Sequence, residues 1–453
     1  MRKYILPPLL LRYMLLLKVT LIVSRGAAQQ ELMLYLSPET WHANTVNPAL
    51  FLPEKNIFIG GPSLGLDAAH SGDIAYRDLL RREGKRSILD LSGAISKLQP
   101  ENTLRIDQRN ERALIGFRLG GWYLSGNWSQ RTATTLTYTR ALAELLWYGN
   151  GPFVGQLLDI GPSLSTIRWD ELGVGLARSV GNRLCIGVRI KYLSGAAMLL
   201  SDEARRKIQV FTEPDVYQLS LQTDYAFYSS SFIAAVDTSG FGYDLSFNAL
   251  KNRFGQNAGI SGDVGLLIRI GRHLLLSASA LDIGGRIQWK QNTAYFHSLG
   301  KFEYSGLFLP GTDILNGTVD SLDFGAALDS LNDVLNFQRA DAKLTTVLPA
   351  RYYAAVHWQL LQRWTLGAVL HHQRDERRQT TAVGFSGYWL PLPWLGVGVM
   401  YSINNRSATN LGLSAAVRLG PVQAFALSDN ALNAITPYRS AAVNFRIGGA
   451  LVF

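Results

Sequence analysis

Four stretches of this chain carry residue types that do chemistry. Gly61-Pro62-Ser63-Leu64-Gly65 fits the G-x-S-x-G pattern of a serine nucleophile. That chemistry needs a strained strand-to-helix elbow that lifts the hydroxyl clear, with Asp and His further along the chain. Pro62 stands beside the serine and no amphipathic helix follows, so the pentapeptide reads as ordinary strand. His371-His372, followed by Arg374, Asp375, Glu376, Arg377 and Arg378, invites a metal reading. Adjacent side chains on a strand point to opposite faces, so this pair does not chelate as i, i+2 neighbours would, and it reads as a solvated loop tip. Cys185, the single cysteine, has no Cys or His in motif spacing and leaves no internal disulfide. Gly259 to Gly265 lacks the strand–GxxxxGK–helix setting of a phosphate loop. The expectation is a protein that is not an enzyme and holds neither metal nor cofactor.

The elements around these stretches alternate with period two. In the last fourteen residues, Phe453, Leu451, Gly449, Ile447, Phe445, Val443 and Ala441 share one face, with Val452, Ala450, Gly448, Arg446, Asn444, Ala442 and Ser440 opposite. Strict alternation is the pleat of a strand, and the run has the length a tilted strand needs to cross a bilayer. The pattern recurs upstream. Ala113, Ile115, Phe117 and Leu119 stand against Arg118. Leu184, Ile186, Val188, Ile190 and Tyr192 stand against Arg183, Cys185, Gly187, Arg189 and Lys191. Tyr217, Leu219, Leu221, Tyr225 and Phe227, then Ile260, Val264, Leu266, Ile268 and Ile270, and later Leu411, Leu413, Ala415, Val417 and Leu419, repeat it. A soluble core with charges on nearly every inward face is untenable. Turned inside out, with lipid on the apolar side and water in the lumen, the pattern is sound. An Arg at Val188 is therefore expected to be costly and one at Gly187 cheap.

Bulk numbers agree with an envelope location. Residues 1–28 have a basic end, an apolar run and small residues Gly26, Ala27 and Ala28 before Gln29, as an export signal does, with Met1 or Met14 as the start. Removing them takes five cations and no acid, leaving a net charge of +5. No basic stripe with interleaved aromatics exists, which argues against nucleic acid. No later apolar run suits a membrane helix, and mean hydropathy near zero is what alternating faces produce. Tight connections (Gly181-Asn182, Gly271-Arg272, Leu361-Gln362-Arg363, Pro391-Leu392-Pro393, Gly420-Pro421) alternate with long ones at 195–215, 237–257, 284–349, 371–379 and 428–439. Short turns on one rim and long loops on the other mark membrane barrels. The reading is an all-β chain: a signal at 1–28, an N-terminal segment at 29–53, and a transmembrane antiparallel up-and-down barrel at 54–453. Counting back from Phe453 gives about sixteen strands.

Three resemblances refine this. The terminal strand, with Phe445 and the final Phe453, resembles the assembly signal of outer-membrane barrels, which implies barrel-assembly machinery as a partner and outer-membrane lipid as the solvent. Asn47-Pro48-Ala49, between the signal and the first strand, resembles the NPA element in the hatch of the long-chain fatty-acid transporter superfamily, which implies fourteen strands and a plug at 29–53. A series of blocks resembles an uncharacterised outer-membrane family related to those transporters. They are Gly149-Asn150 after RALAELLWYGN, the strand ending Arg189-Ile190-Lys191-Tyr192-Leu193-Ser194-Gly195, SASALDIGGRIQW at 277–289, Leu348-Pro349 and Asp429-Asn430.

Two functions fit these features. One is a passive channel in a Gram-negative outer membrane for a hydrophobic or amphipathic small molecule, with 147–153 and 295–309 as apolar capture surface. The other, suggested by the shuttle barrel of type IX secretion, is a non-enzymatic platform that holds a protein partner through the loop at 284–349.

Overall fold

A computed structural model describes residues 31–37, 39–52, 55–71, 80–83, 86–89, 91–231, 254–304, 335–374, 379–404, 407–431 and 442–453. Its main feature is one antiparallel sheet rolled shut. The strands of the wall are β1 (Ile57–His70), β2 (Glu101–Leu119), β3 (Trp122–Thr139), β4 (Ser163–Val180), β5 (Leu184–Thr212), β6 (Asn257–Ile270) and β7 (Leu274–Trp289). The second half continues with β8 (Ala350–Leu361), β9 (Trp364–Arg374), β10 (Gln379–Leu392), β11 (Leu395–Asn404), β12 (Ser407–Leu419), β13 (Val422–Ser428) and β14 (Ala442–Val452). Closure is made by β1, which pairs with β2 through Ile57↔Phe117 and with β14 through Phe58↔Val452. The wall therefore has fourteen strands and no open edge, which is how a sheet satisfies its backbone inside lipid.

Sixteen is two more than the wall holds, and the alternating stretch at Leu219–Ser230 lies outside it. The far half of β5 runs past the barrel and pairs with Leu219–Ser230, which pairs in turn with Thr293–Tyr304 and that with Gln338–Asp341. Alternation in this side sheet serves a small core in which Phe227 stacks on Phe296 at 5.0 Å, edge-on to Phe337. Leu221 and Phe227, expected toward lipid, are buried there. The stretches at 195–215 and 284–349, expected as loops, carry β5 to Thr212 and the strands Thr293–Tyr304, Gln338–Asp341 and Leu344–Val347. Much of the connections at 237–257 and 428–439, and residues 305–309 of the capture surface, lie outside the described residues, as does the signal at 1–28.

One rim carries only short turns. Gly120, Gly181, Gly271 and Gly420 open four of them with φ between 58 and 62°, left-handed values that cost a residue with a Cβ. Near this rim Phe117, Trp122, Trp358, Trp364, Trp389, Trp394 and Phe453 are exposed, the girdle expected at a membrane interface. The outward face between is largely apolar, with Arg112 and Asp170 held against Trp128; Ile186, Val188 and Ile190 are 45, 47 and 73 % exposed while the alternate residues Arg189 and Lys191 are 2 % exposed. The opposite rim holds the side sheet and the helix Arg140–Tyr148, whose N-cap Thr139 accepts the Leu142 N–H and whose last turn stops at Gly149 with φ 73°.

Candidate functional site

The N-terminal segment runs through the short-turn half of the lumen. It opens with a helical turn, α1 (Leu32–Tyr35), continues as a 3₁₀ turn at Trp41–Thr45, and is buried from Leu32 through Tyr35 and from Trp41 through Leu50. Asp429 accepts the free N–H groups of Leu32 and Met33 at 3.1 and 2.7 Å, which satisfies donors that so short a helix leaves open. Tyr35 stacks on Tyr353 of β8 at 4.8 Å, and Trp41 on Phe58 of β1 at 4.3 Å. Ser279 of β7 donates to the Val46 carbonyl at 2.7 Å, and the Arg189 guanidinium of β5 donates to the Asn44 carbonyl at 3.2 Å and to Asn44 Oδ1.

Asn47, Pro48 and Ala49 form the tightest contact with the wall. Asn47 Oδ1 accepts the Ala49 N–H at 3.0 Å and its Nδ2 donates to the Ala278 carbonyl at 3.2 Å and the Tyr35 hydroxyl at 3.1 Å. The turn presses on two lumen-face glycines. A Cβ at Gly187 would lie 2.5 Å from the Pro48 carbonyl, and one at Gly265 2.1 Å from Asn47 Oδ1. An Arg at Gly187 therefore collides with the segment, and the expected cheap lumen substitution fails at that position.

Beside and above the segment lies a bridge of charge. Lys191 of β5 meets Asp263 of β6 at 2.6 Å and Glu171 of β4 at 3.6 Å, and also pairs with Asp282 of β7. Arg351 of β8 meets Asp282 at 2.8 Å; Arg131 of β3 meets Glu171 at 3.3 Å and Asp282 at 3.4 Å. On the far side Glu111 of β2 takes Arg109 at 3.1 Å and Arg446 of β14 at 3.3 Å. Glu31 joins the two groups, contacting Arg109 and Arg351 at 3.4 Å each and Arg446. Burial drives its carboxyl pKa upward, but Arg446, Arg109 and Arg351 outweigh that and hold it at about 2. Water was expected to solvate these lumen charges; instead nearly all are buried and neutralise one another, as buried charges must.

Above this bridge, toward the side-sheet rim, opens a cavity of about 670 Å³. Ala133, Ile167, Trp169, Leu200 and Leu348 supply apolar wall, and Glu31, Arg109, Arg131, Asp282, Arg351 and Arg446 line its charged end. Further charged side chains, Asp67, Glu101, Arg105, Asp107, Glu203 and Arg206, and several Ser and Thr hydroxyls complete the lining, so an apolar patch lies within a largely polar cavity of a size that suits a small molecule.

The remaining chemical stretches have other settings. Gly61-Pro62-Ser63-Leu64-Gly65 lies within β1, where the register slips between Gly61 and Ser63, and the Ser63 hydroxyl accepts from Arg446 Nε at 3.1 Å. His371 and His372 are on β9 and not in a loop tip: His371 is buried against Tyr353, while His372 bonds the Thr381 hydroxyl at 3.0 Å. Cys185 is half-buried near the short-turn rim. Trp147, in the helix Arg140–Tyr148, donates to Ser92 Oγ at 2.9 Å, and Tyr295 lies on a strand of the side sheet. Sequence reasoning missed Glu31, which no motif marks. Arg189, Lys191, Asp282, Leu348 and Asp429 all fall within the blocks singled out above, and the fold brings them to the segment, the charge bridge and the cavity.

A closed barrel with a largely apolar outer belt, an aromatic girdle and a buried charge network inside is a transmembrane β-barrel of the outer-membrane type. The chain belongs to the family of unknown function DUF5723, which matches residues 48–429. Among curated proteins none matches it. Solved structures similar to it include the toluene transporter TbuX of Ralstonia pickettii, at 10 % identity and a TM-score of 0.47 over 91 % of this chain and 93 % of that one. The toluene transporter TodX of P. putida gives 9 % and 0.44 over 90 % of each chain. A FadL homologue of Pseudomonas aeruginosa gives 10 % and 0.40 over 89 % and 90 %.

Proposed function

We propose that this protein is a passive channel for hydrophobic or amphipathic small molecules in a Gram-negative outer membrane, exported by a cleaved signal at 1–28, with residues 29–53 as its hatch. The cavity carries this reading. It holds an apolar patch formed by Ala133, Ile167, Trp169, Leu200 and Leu348, lies on the side-sheet rim, and is separated from the short-turn rim by the segment around Asn47-Pro48-Ala49. The rim with long connections is the outward one in such barrels, so the cavity faces the medium and the hatch faces the periplasm.

The test is uptake of a labelled hydrocarbon by cells that carry wild-type protein, Ala133→Trp, Pro48→Ala or none. Ala133→Trp fills the cavity and lowers uptake at least fivefold while the folded barrel still shows heat-modifiable migration. Pro48→Ala loosens the hatch turn and raises uptake. Wild-type uptake no better than empty cells, together with recovery of a defined protein partner through residues 284–349, overturns the channel in favour of the platform.

A further inference from the structure

The charged end of the cavity contains an anion site that the chain fills with its own side chain. Arg109 and Arg446 approach from β2 and β14, Arg351 from β8 on another part of the wall, and all three converge on the carboxylate of Glu31. Glu31 comes from no strand of the barrel; it precedes α1, at the cavity end of the N-terminal segment. Its side chain is 19 % exposed, whereas that of Arg446 beneath it is 3 % exposed. The other acids nearby have partners of their own. Asp282 is held by Lys191 and Arg351, and Glu111 by Arg109 and Arg446. Three guanidinia around one shared carboxylate are what a carboxylate-headed ligand would otherwise meet on reaching this depth.

We propose that Glu31 determines ligand class: by occupying the Arg109–Arg351–Arg446 site it turns a cavity that would take carboxylates into one that takes uncharged apolar molecules. This rests on the channel reading and adds the ligand's charge to it. A tethered carboxylate competes at a high effective concentration, so a free carboxylate at micromolar levels does not displace it. An uncharged ligand uses only the apolar wall around Ala133, Ile167, Trp169 and Leu200 and has no quarrel with Glu31. Glu31 is thus a specificity residue that works by prior occupancy.

Binding of octanol and of octanoate is measured at pH 7.5 by calorimetry on protein in nanodiscs, with empty nanodiscs subtracted. Wild type binds octanol at least about tenfold more tightly than octanoate, and Glu31→Gln closes that gap by about tenfold through the octanoate affinity alone. Glu31→Asp, which keeps a carboxylate, retains the preference for octanol. Equal binding of the two by wild type overturns the inference whether or not the variants fold, as does a gap unchanged in Glu31→Gln. If neither compound binds any form, the channel reading fails instead. A second readout uses thermal stability: acetate raises the midpoint of Glu31→Ala but not that of wild type, with chloride at equal ionic strength as control. Absence of that difference also overturns the site.

Discussion

At the scale of single residues, the decisive property is the face on which a side chain lies. Val188 projects to lipid and Arg189 to the lumen because neighbours on a pleat point oppositely, and this much was legible in the alternation alone. What a lumen side chain meets was not legible. Gly187 looks like a tolerant position until the Pro48 carbonyl is found against it, a contact between residues far apart in the chain. Glu31 gave no signal at all, since it belongs to no motif and no alternating stretch marks it. A fair test of the two faces pairs Val188 with Ser165, which lines the cavity. Val188→Arg costs about 2–4 kcal/mol by its depth in the lipid, whereas Ser165→Arg costs little. The measurement is urea unfolding in detergent or vesicles, scored by heat-modifiable migration; equal losses would contradict the assigned faces.

At the scale of elements, period two identified the wall strands but could not say what lies on each side. The stretch Leu219–Ser230 alternates as well as β5 does, yet its apolar face packs on the Phe296 side of a side sheet. A barrel wall and a two-layered extension need the same alternation, so only pairing separates them. The terminal strand is better defined. Phe453 donates its N–H to the Ile57 carbonyl at 2.9 Å, and its own carbonyl accepts from Asn56 and Ile57 at 2.8 and 3.3 Å. These bonds tie the last residue of the chain to the start of β1, the seam at which the barrel shuts. Deleting Phe453 removes them along with an exposed aromatic at the short-turn rim. The expected outcome is several-fold less folded barrel in the outer membrane at unchanged export to the periplasm, read by fractionation and gel migration; unaltered assembly would count against Phe445 and Phe453 as the assembly signal.

At the scale of the whole molecule, fourteen strands make a ring whose near half is filled by the chain's own N-terminal segment and whose far half holds the cavity. Charge that would be ruinous in a soluble core is tolerated because the segment and eight strands pair it across the lumen. The sequence pattern pointed to an inside-out protein, while the filling of its interior depended on contacts between the first described residues and strands hundreds of positions later. The channel reading stands or falls on whether an apolar molecule enters that interior. Crystals of the protein soaked with 1-bromooctane test this through the anomalous signal of bromine. A peak is expected inside the barrel among Ala133, Trp169 and Leu348; bromine found only on the outer belt around Val188 and Ile190, with none in the lumen, would contradict the channel.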